Sequence, residues 1–214
     1  MHTFEEWKKK LIIVRGGGDI ATGTIYKLHQ SRFSVLVLEI ANPSCIRRTI
    51  SFCEAVFDKE VEVEGVIAKR ADSLEEAFAI YEQGQIPVMI DENGSTIETL
   101  HPPVVVDAIL AKRNLGTKIT DAPAVIGIGP GFCAGKDVDA VIETQRGHNL
   151  GRVIYEGEAA PNTGIPGMIA GYAKERVIHA PAAGNLHILK QIGEIVQAGD
   201  TIADIEGTPV KTVI

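Results

Sequence analysis

The sequence predicts an α/β chain in which helices cover a parallel sheet and a β-rich segment closes the C-terminal part. Three observations carry this. A short apolar run, LIIVR at residues 11–15, passes straight into Gly16, Gly17 and Gly18, as a buried parallel strand does where it turns into a helix. A second apolar run, SVLVLE at 34–39, follows after a stretch long enough for one helix. From about Val177 the texture changes to short apolar runs punctuated by Gly184, Gly193, Gly199 and Gly207, which reads as a set of hairpins.

The elements follow in order. Ile20, Ile25 and Leu28 fall at helical spacing up to about Gln30, and SCIRRTISFCEAVF from Ser44 to Phe57 reads as another helix. In DSLEEAFAIYEQG, Ser73 followed by Glu76 predicts a capped helix start and Gly84 its stop. IPVMID reads as a strand, and PPVVVDAILA as a strand or a strand-to-helix unit. APAVIGIGPGF is an apolar run broken by Gly-Pro-Gly, and VDAVIE at 138–143 reads as a further strand. Residues 145–175 are rich in Gly, Pro and Asn and hold little regular pattern. The predicted organisation is a Rossmann-like domain over 1–110, an α/β continuation with glycine-rich loops over 111–175, and a β-rich segment over 176–214.

The 214 residues carry a net charge of −7, with 45% hydrophobic and 23% charged residues. That is ordinary globular composition. The basic residues are scattered and only 5% of the chain is aromatic, which argues against nucleic acid as a partner. No run approaches the length of a membrane span, and MHTFEEWKKK has no apolar core of a signal peptide. The expected compartment is the cytoplasm. Cys45, Cys53 and Cys133 are odd in number and form no CxxC, so neither a disulfide framework nor a zinc site is expected.

GGGDIA satisfies G-x-G-x-x-G/A with Gly16, Gly18 and Ala21. The first glycine permits the tight turn, the second lets backbone approach a phosphate, and the alanine lets helix and strand pack closely. Glu39 ends the second strand at about the 20-residue spacing of an acid that meets a ribose hydroxyl. Asp19 stands in the first helical turn, where a carboxylate suits the helix dipole but repels a pyrophosphate. Either it caps the helix or it meets a polar edge of a ligand bound differently from NAD. Arg47 or Arg48, after the second strand, is placed to reach a cofactor phosphate; the plainer reading is a helix surface with salt bridges. Gly17 completes this candidate cofactor-binding set.

A second cluster lies further on. Gly127, Gly129, Gly131 and Gly135 surround a strand end, and glycines at the carboxyl edge of a sheet let N–H groups converge on an anion. Asp137, Asp139, Glu143, Arg146 and His148 follow closely. Gly129, Gly131, Glu143, Arg146 and His148 are therefore candidate ligand contacts, against the plainer reading of turns and solvated charges. Cys133 sits in the same stretch and is a candidate sulfur or selenium carrier, though a small apolar filler is the plainer reading. No HExxH appears, and His101, His179 and His187 are isolated.

The stretches VRGGGD, NPSCIRRTISFCEAVFD, VEGVIA, PPVVVDAILAKRN and GIGPGFCAGKDVDAVIETQRGHNLGRVIYEGEAAPNTGIPG together resemble the YqeB family of selenium-dependent molybdenum hydroxylase system proteins. The resemblance covers about residues 11–205, and its Rossmann part is similar to the XdhC/CoxI accessory proteins. It implies a role in maturing a hydroxylase whose cofactor carries a labile selenium atom. It also implies a molybdopterin-type cofactor or a nucleotide as ligand, and the hydroxylase or another maturation protein as partner.

The C-terminal HAPAAGNLHILKQIGEIVQAGDTIADIEG resembles the first half of a biotinyl/lipoyl-type module. Thr208-Pro209 stands where a modified lysine would be presented and Lys211 is displaced, so no attachment is expected. A half module leaves strand edges unpaired, which predicts homo-oligomerisation or a disordered tail. Two rival readings remain. One is an NAD(P)-dependent oxidoreductase, resting on Gly16, Gly18, Ala21 and Glu39 but without a Tyr-x-x-x-Lys pair. The other is a non-catalytic scaffold that docks the hydroxylase.

Overall fold

A central sheet buried on both faces organises the first of two units, Met1–Asn162 and Thr163–Ile214. The structure, a computed structural model, describes residues 3–164 and 167–213. Thr3 opens helix α1 (Phe4–Lys9) with a reciprocal capping box. Its hydroxyl accepts the Glu6 N–H at 3.2 Å while the Glu6 carboxylate accepts the Thr3 N–H at 2.8 Å. Trp7 is buried from this helix among the rings of Phe4, Phe78 and Tyr81.

Strand β1 (Leu11–Arg15) is buried at every position and leads through the glycines into helix α2 (Asp19–Gln30). Strand β2 (Ser34–Glu39) follows. Residues 44–58 do not make the single helix that their pattern predicts. They fold as two 3-10 turns, Arg48–Ile50 and Phe52–Glu54, and a short helix α3 (Ala55–Asp58). The reason is hydrogen bonding: the Ser51 hydroxyl donates to the Arg47 carbonyl at 2.7 Å, and the Phe52 N–H donates to Thr22 Oγ1 at 2.9 Å. Local and tertiary acceptors thus replace the helical ladder.

A hairpin of β3 (Glu60–Val63) and β4 (Val66–Ala71) comes next, turning at Glu64 and Gly65. Helix α4 (Leu74–Glu82) starts on the predicted Ser73 cap, whose hydroxyl accepts the Glu76 N–H. Then come β5 (Ile86–Ile90), α5 (Ser95–Leu100), β6 (Val104–Asp107), β7 (Ala124–Ile128), β8 (Cys133–Ala134), β9 (Ala140–Ile142), β10 (Val153–Ile154) and β11 (Gly157–Glu158).

Nine strands join in the order β10-β9-β7-β6-β1-β2-β5-β4-β3. The pairs from β9 through to β4 are parallel, and only the outermost pairs, β10–β9 and β3–β4, are antiparallel. The predicted Rossmann-like class is correct. Because β7 and β9 extend the sheet that holds β1, residues beyond 110 continue the same core. Alternate residues feed two cores: Leu11, Ile13, Leu36 and Leu38 lie on one face, and Ile12, Val14, Val35 and Val37 on the other. This explains why both strands read as unbroken apolar runs.

The second unit holds a 3-10 turn (Lys174–Arg176) and a three-stranded antiparallel sheet of β12 (Leu186–Ile188), β13 (Thr201–Ile205) and β14 (Thr208–Lys211). Ala203, Ile205 and Val210 form its small core. Hairpins were predicted here from the glycine punctuation, and the sheet has that form.

Candidate functional site

Strand order reverses at β1: β2 lies on one side and β6 on the other. Ligands of open parallel sheets bind beyond the carboxyl ends of the strands at such a point. A cleft of about 420 Å³ opens there, lined by Arg15, Gly16 and Gly18 after β1, Leu38, Glu39 and Ile40 after β2, Asp91, Glu92 and Asn93 after β5, and Ile109 and Leu115 after β6. Pro43, Ser44, Cys45 and Cys53 complete it. Its volume suits a small organic ligand.

The three glycines do different work. Gly16 has φ +90°, and a Cβ on it would lie 2.9 Å from Ile109 Cα and 3.0 Å from the Ala108 carbonyl. It is required by the close pass of the chain leaving β6. A Cβ on Gly17 would lie 3.0 Å from the Cys53 nitrogen. Gly18 has ordinary φ and nothing within 4 Å of a Cβ, so its cleft side is open. As the N-cap of α2 it offers no capping side chain, which leaves first-turn N–H groups available to an anion.

Glu39 is bound into this loop. Its Oε1 accepts the Gly17 N–H at 2.7 Å and its Oε2 accepts the Ile40 N–H at 2.8 Å. Burial raises its pKa above the ordinary carboxylate range despite the opposing pull of the two N–H donors. One lone-pair site on each oxygen remains for a ligand donor. Asp91, across the cleft, accepts from the Ser95 N–H and hydroxyl and from the Thr96 N–H at 2.7 to 3.1 Å. Burial alone would raise its pKa; those Thr96 and Ser95 bonds hold it below the usual value.

Asp19 faces Arg47, with 3.3 Å between Oδ2 and Nε. The guanidinium offsets the carboxylate charge at the start of α2, so the repulsion expected between Asp19 and a phosphate is weakened. Arg48 donates from Nε and Nη2 to Glu54 Oε2 at 3.0 and 2.8 Å, which ties it to the Phe52–Glu54 turn rather than to the cleft. Beneath the glycines, buried Arg15 donates to Thr117 Oγ1, which donates in turn to Asp107 Oδ2, both at 2.5 Å. Burial raises the Asp107 pKa although Thr117, the Ile109 N–H and Arg15 oppose it.

The second cluster lies elsewhere. Gly131 (φ +113°) backs on Arg113, with a Cβ reaching 2.6 Å from its Cα, and Gly129 (φ +81°) backs on Leu110 and Thr144. These glycines admit the 110–113 segment. The carboxylate of Glu143 accepts from the N–H groups of Gln145 at 2.7 Å and Ala160 at 2.8 Å. Burial would raise its pKa, but these donors and the Thr144 N–H hold it low. Arg146 and His148 are exposed. Cys133 lies half-buried on β8, its N–H bound to Asp137 at 2.9 Å. None of Gly129, Gly131, Cys133, Glu143, Arg146 or His148 lines the cleft.

The structure thus gathers Gly16, Gly18 and Glu39 at the cleft and sets Gly17, Asp19 and Arg47 in or beside the same loop. Sequence reasoning missed Arg15, Asp91, Cys45 and Cys53 as cleft residues. Asp91 had a signal, an acid ending a parallel strand just as Glu39 does. The cysteines had none, because only folding brings residues 45 and 53 to the same cleft. Among the described residues, no group of three or more His, Cys, Asp or Glu is placed to hold a metal ion, and no helix is long and apolar enough to cross a membrane.

Comparison with known proteins gives one strong likeness. The chain is 51% identical over 202 residues to the uncharacterized protein YqeB of Escherichia coli (strain K12), a match that covers 94% of this chain and 37% of that protein. The chain therefore spans little more than a third of the length of the curated relative it matches. This likeness supports the YqeB resemblance read in the sequence. No family model matches the chain, and no solved structure does.

Proposed function

We propose that this chain binds a molybdopterin-type cofactor, or a nucleotide with the same hydrogen-bonding edge, as an accessory protein in maturing a selenium-dependent molybdenum hydroxylase. One observation carries the ligand reading: Glu39 stands in the cleft beside the uncapped start of α2, with acceptor capacity left on both oxygens. A pterin presents a ring N–H and an amino group side by side, and a carboxylate accepts both together. A phosphate on the same ligand suits the first-turn N–H groups after Gly18, where Arg47 already offsets Asp19. The residues present therefore fit the pterin ring through Glu39 and its phosphate through the α2 start. When bound, the cofactor supplies the metal and chalcogen chemistry; the chain's own residues bind and orient it. The maturation process, the kinship with XdhC/CoxI accessory proteins, the cytoplasmic setting, the hydroxylase as partner and self-association rest on the YqeB resemblance and on the sequence expectations above.

A second reading keeps a specific observation. Glu39 is equally able to accept from the hydroxyls of a ribose, which suits NAD(P). Fluorescence titration with a reduced pterin phosphate, a guanine nucleotide and NADPH separates these. Saturable pterin binding that weakens at least tenfold in Glu39→Gln supports the proposal. Preference for NADPH favours an oxidoreductase, and the absence of any small-molecule binding favours a scaffold. For the maturation role, loss of the chain in its host should leave hydroxylase polypeptide present but lacking selenium. Full selenium content would refute that role.

A further inference from the structure

Cys45 and Cys53 both line the cleft. Eight residues apart in sequence, they come from the irregular 44–58 segment that lies over the glycine loop. The Cys53 N–H donates to the Gly17 carbonyl at 2.9 Å, which fixes the buried cysteine against the loop. Cys45 is half-exposed, and its sulfur lies 2.8 Å from Ser51 Oγ. Ser51 gives its own proton to the Arg47 carbonyl at 2.7 Å, so Cys45 S–H is the donor to Ser51. Burial first, then the nearby Cys45, Glu39 and Glu54, push the Cys53 thiol pKa up. The two cysteines line the same cleft with unequal access: Cys45 is half-exposed and Cys53 is buried.

We propose that Cys45 and Cys53 form a dithiol site whose substrate is a small organic disulfide admitted by the cleft. The Cys45 sulfur attacks one sulfur of the small disulfide, forms a mixed disulfide and releases one small thiol, which takes up the Cys45 proton. The Cys53 sulfur then attacks Cys45, expels the second small thiol with the Cys53 proton, and closes the Cys45–Cys53 disulfide. Two protein thiols are oxidised and one small disulfide is reduced to two thiols, so atoms and electrons balance. The order follows from access: thiol–disulfide exchange needs a reachable attacking sulfur, and Cys53 is 1% exposed. The new bond ties residue 45 to the residue that holds Gly17, so the state of the pair sets the shape of the cleft wall. This holds whether or not a pterin is the ligand.

The test is incubation of the full chain with excess oxidised glutathione, followed by intact-mass and peptide mapping. The native chain should lose two hydrogens and yield a peptide joining Cys45 to Cys53. Cys53→Ser should instead trap glutathione on Cys45, while Cys45→Ser should leave Cys53 unmodified and Cys133→Ser should behave as the native chain. As a control that needs no variant, alkylation of the reduced native chain should label Cys45 at least about tenfold faster than Cys53. Glutathione accumulating only on Cys133, Cys53 reacting as fast as Cys45, or no 45–53 link under conditions that oxidise Cys133 would overturn the proposal.

Discussion

Gly16→Ala and Gly18→Ala differ by two positions in one loop and should have opposite consequences. At Gly16 the backbone is left-handed at φ +90°, and the new Cβ would meet backbone atoms of Ala108 and Ile109 at 2.9 to 3.0 Å. Backbone cannot rotate away as a flexible side chain can. The left-handed residue costs about 1–2 kcal/mol and overpacking about 1–3 kcal/mol, so Gly16→Ala should lose about 2–5 kcal/mol in all. At Gly18 the φ is −64° and the space is empty. There the change gives up only the N-cap preference of glycine over alanine, about 1 kcal/mol or less. Urea unfolding followed by the single tryptophan, Trp7, measures both, with equal m-values required for the comparison. Gly18→Ala should instead weaken the ligand, because its Cβ enters the open side of the loop. A Gly16→Ala chain within about 0.5 kcal/mol of native, or a Gly18→Ala chain as unstable as Gly16→Ala, would refute this division of roles.

Three further predictions follow from the same geometry. Thr117→Val removes the hydroxyl joining buried Arg15 to Asp107 and should cost about 1–3 kcal/mol in a urea midpoint series, with Thr117→Ser nearly native. Trp7→Ala empties the packing of α1 against Phe78 and Tyr81 and should cost about 3–5 kcal/mol by thermal unfolding followed by circular dichroism. The acid dependence of stability should have two opposed parts. Because Glu39 has a raised pKa, the folded chain holds that proton to higher pH than the unfolded chain. Its contribution to stability therefore falls as pH climbs from about 4.3 through the folded value. Asp91 is lowered, so its stabilisation is complete above about 3.9 and is lost as pH falls through the folded value. Glu39→Gln should remove the first slope alone and Asp91→Asn the second, read from urea midpoints across the acid range.

The legible parts of the chain were those where local pattern and tertiary demand agree. LIIVR and SVLVLE are buried on both faces, so nothing interrupts their apolar run, and Ser73 with Glu76 caps α4 as spaced. The 44–58 segment was misread because its acceptors are distant in sequence: Thr22 takes the Phe52 N–H, and Gly17 takes the Cys53 N–H. No periodicity reports a hydrogen bond spanning thirty residues. Helix α1 shows no helical periodicity because six residues give too short a window, and its Thr3–Glu6 capping box is the one local signal that marks it. The same limit explains the glycines at 129 and 131. A left-handed glycine looks alike in sequence whether it makes room for a ligand or for Leu110 and Arg113.

Gly17 is gripped from both sides: Glu39 holds its N–H, while the Cys53 N–H and the Thr22 hydroxyl hold its carbonyl. The loop is therefore already in its working shape before anything arrives. A ligand here meets a preorganised wall, and the entropy of ordering it has been lost during folding rather than at the encounter. Association should then be a single step with little backbone displacement, limited by diffusion into the cleft instead of by a closing motion. Neither capture nor release has to wait for the protein to rearrange.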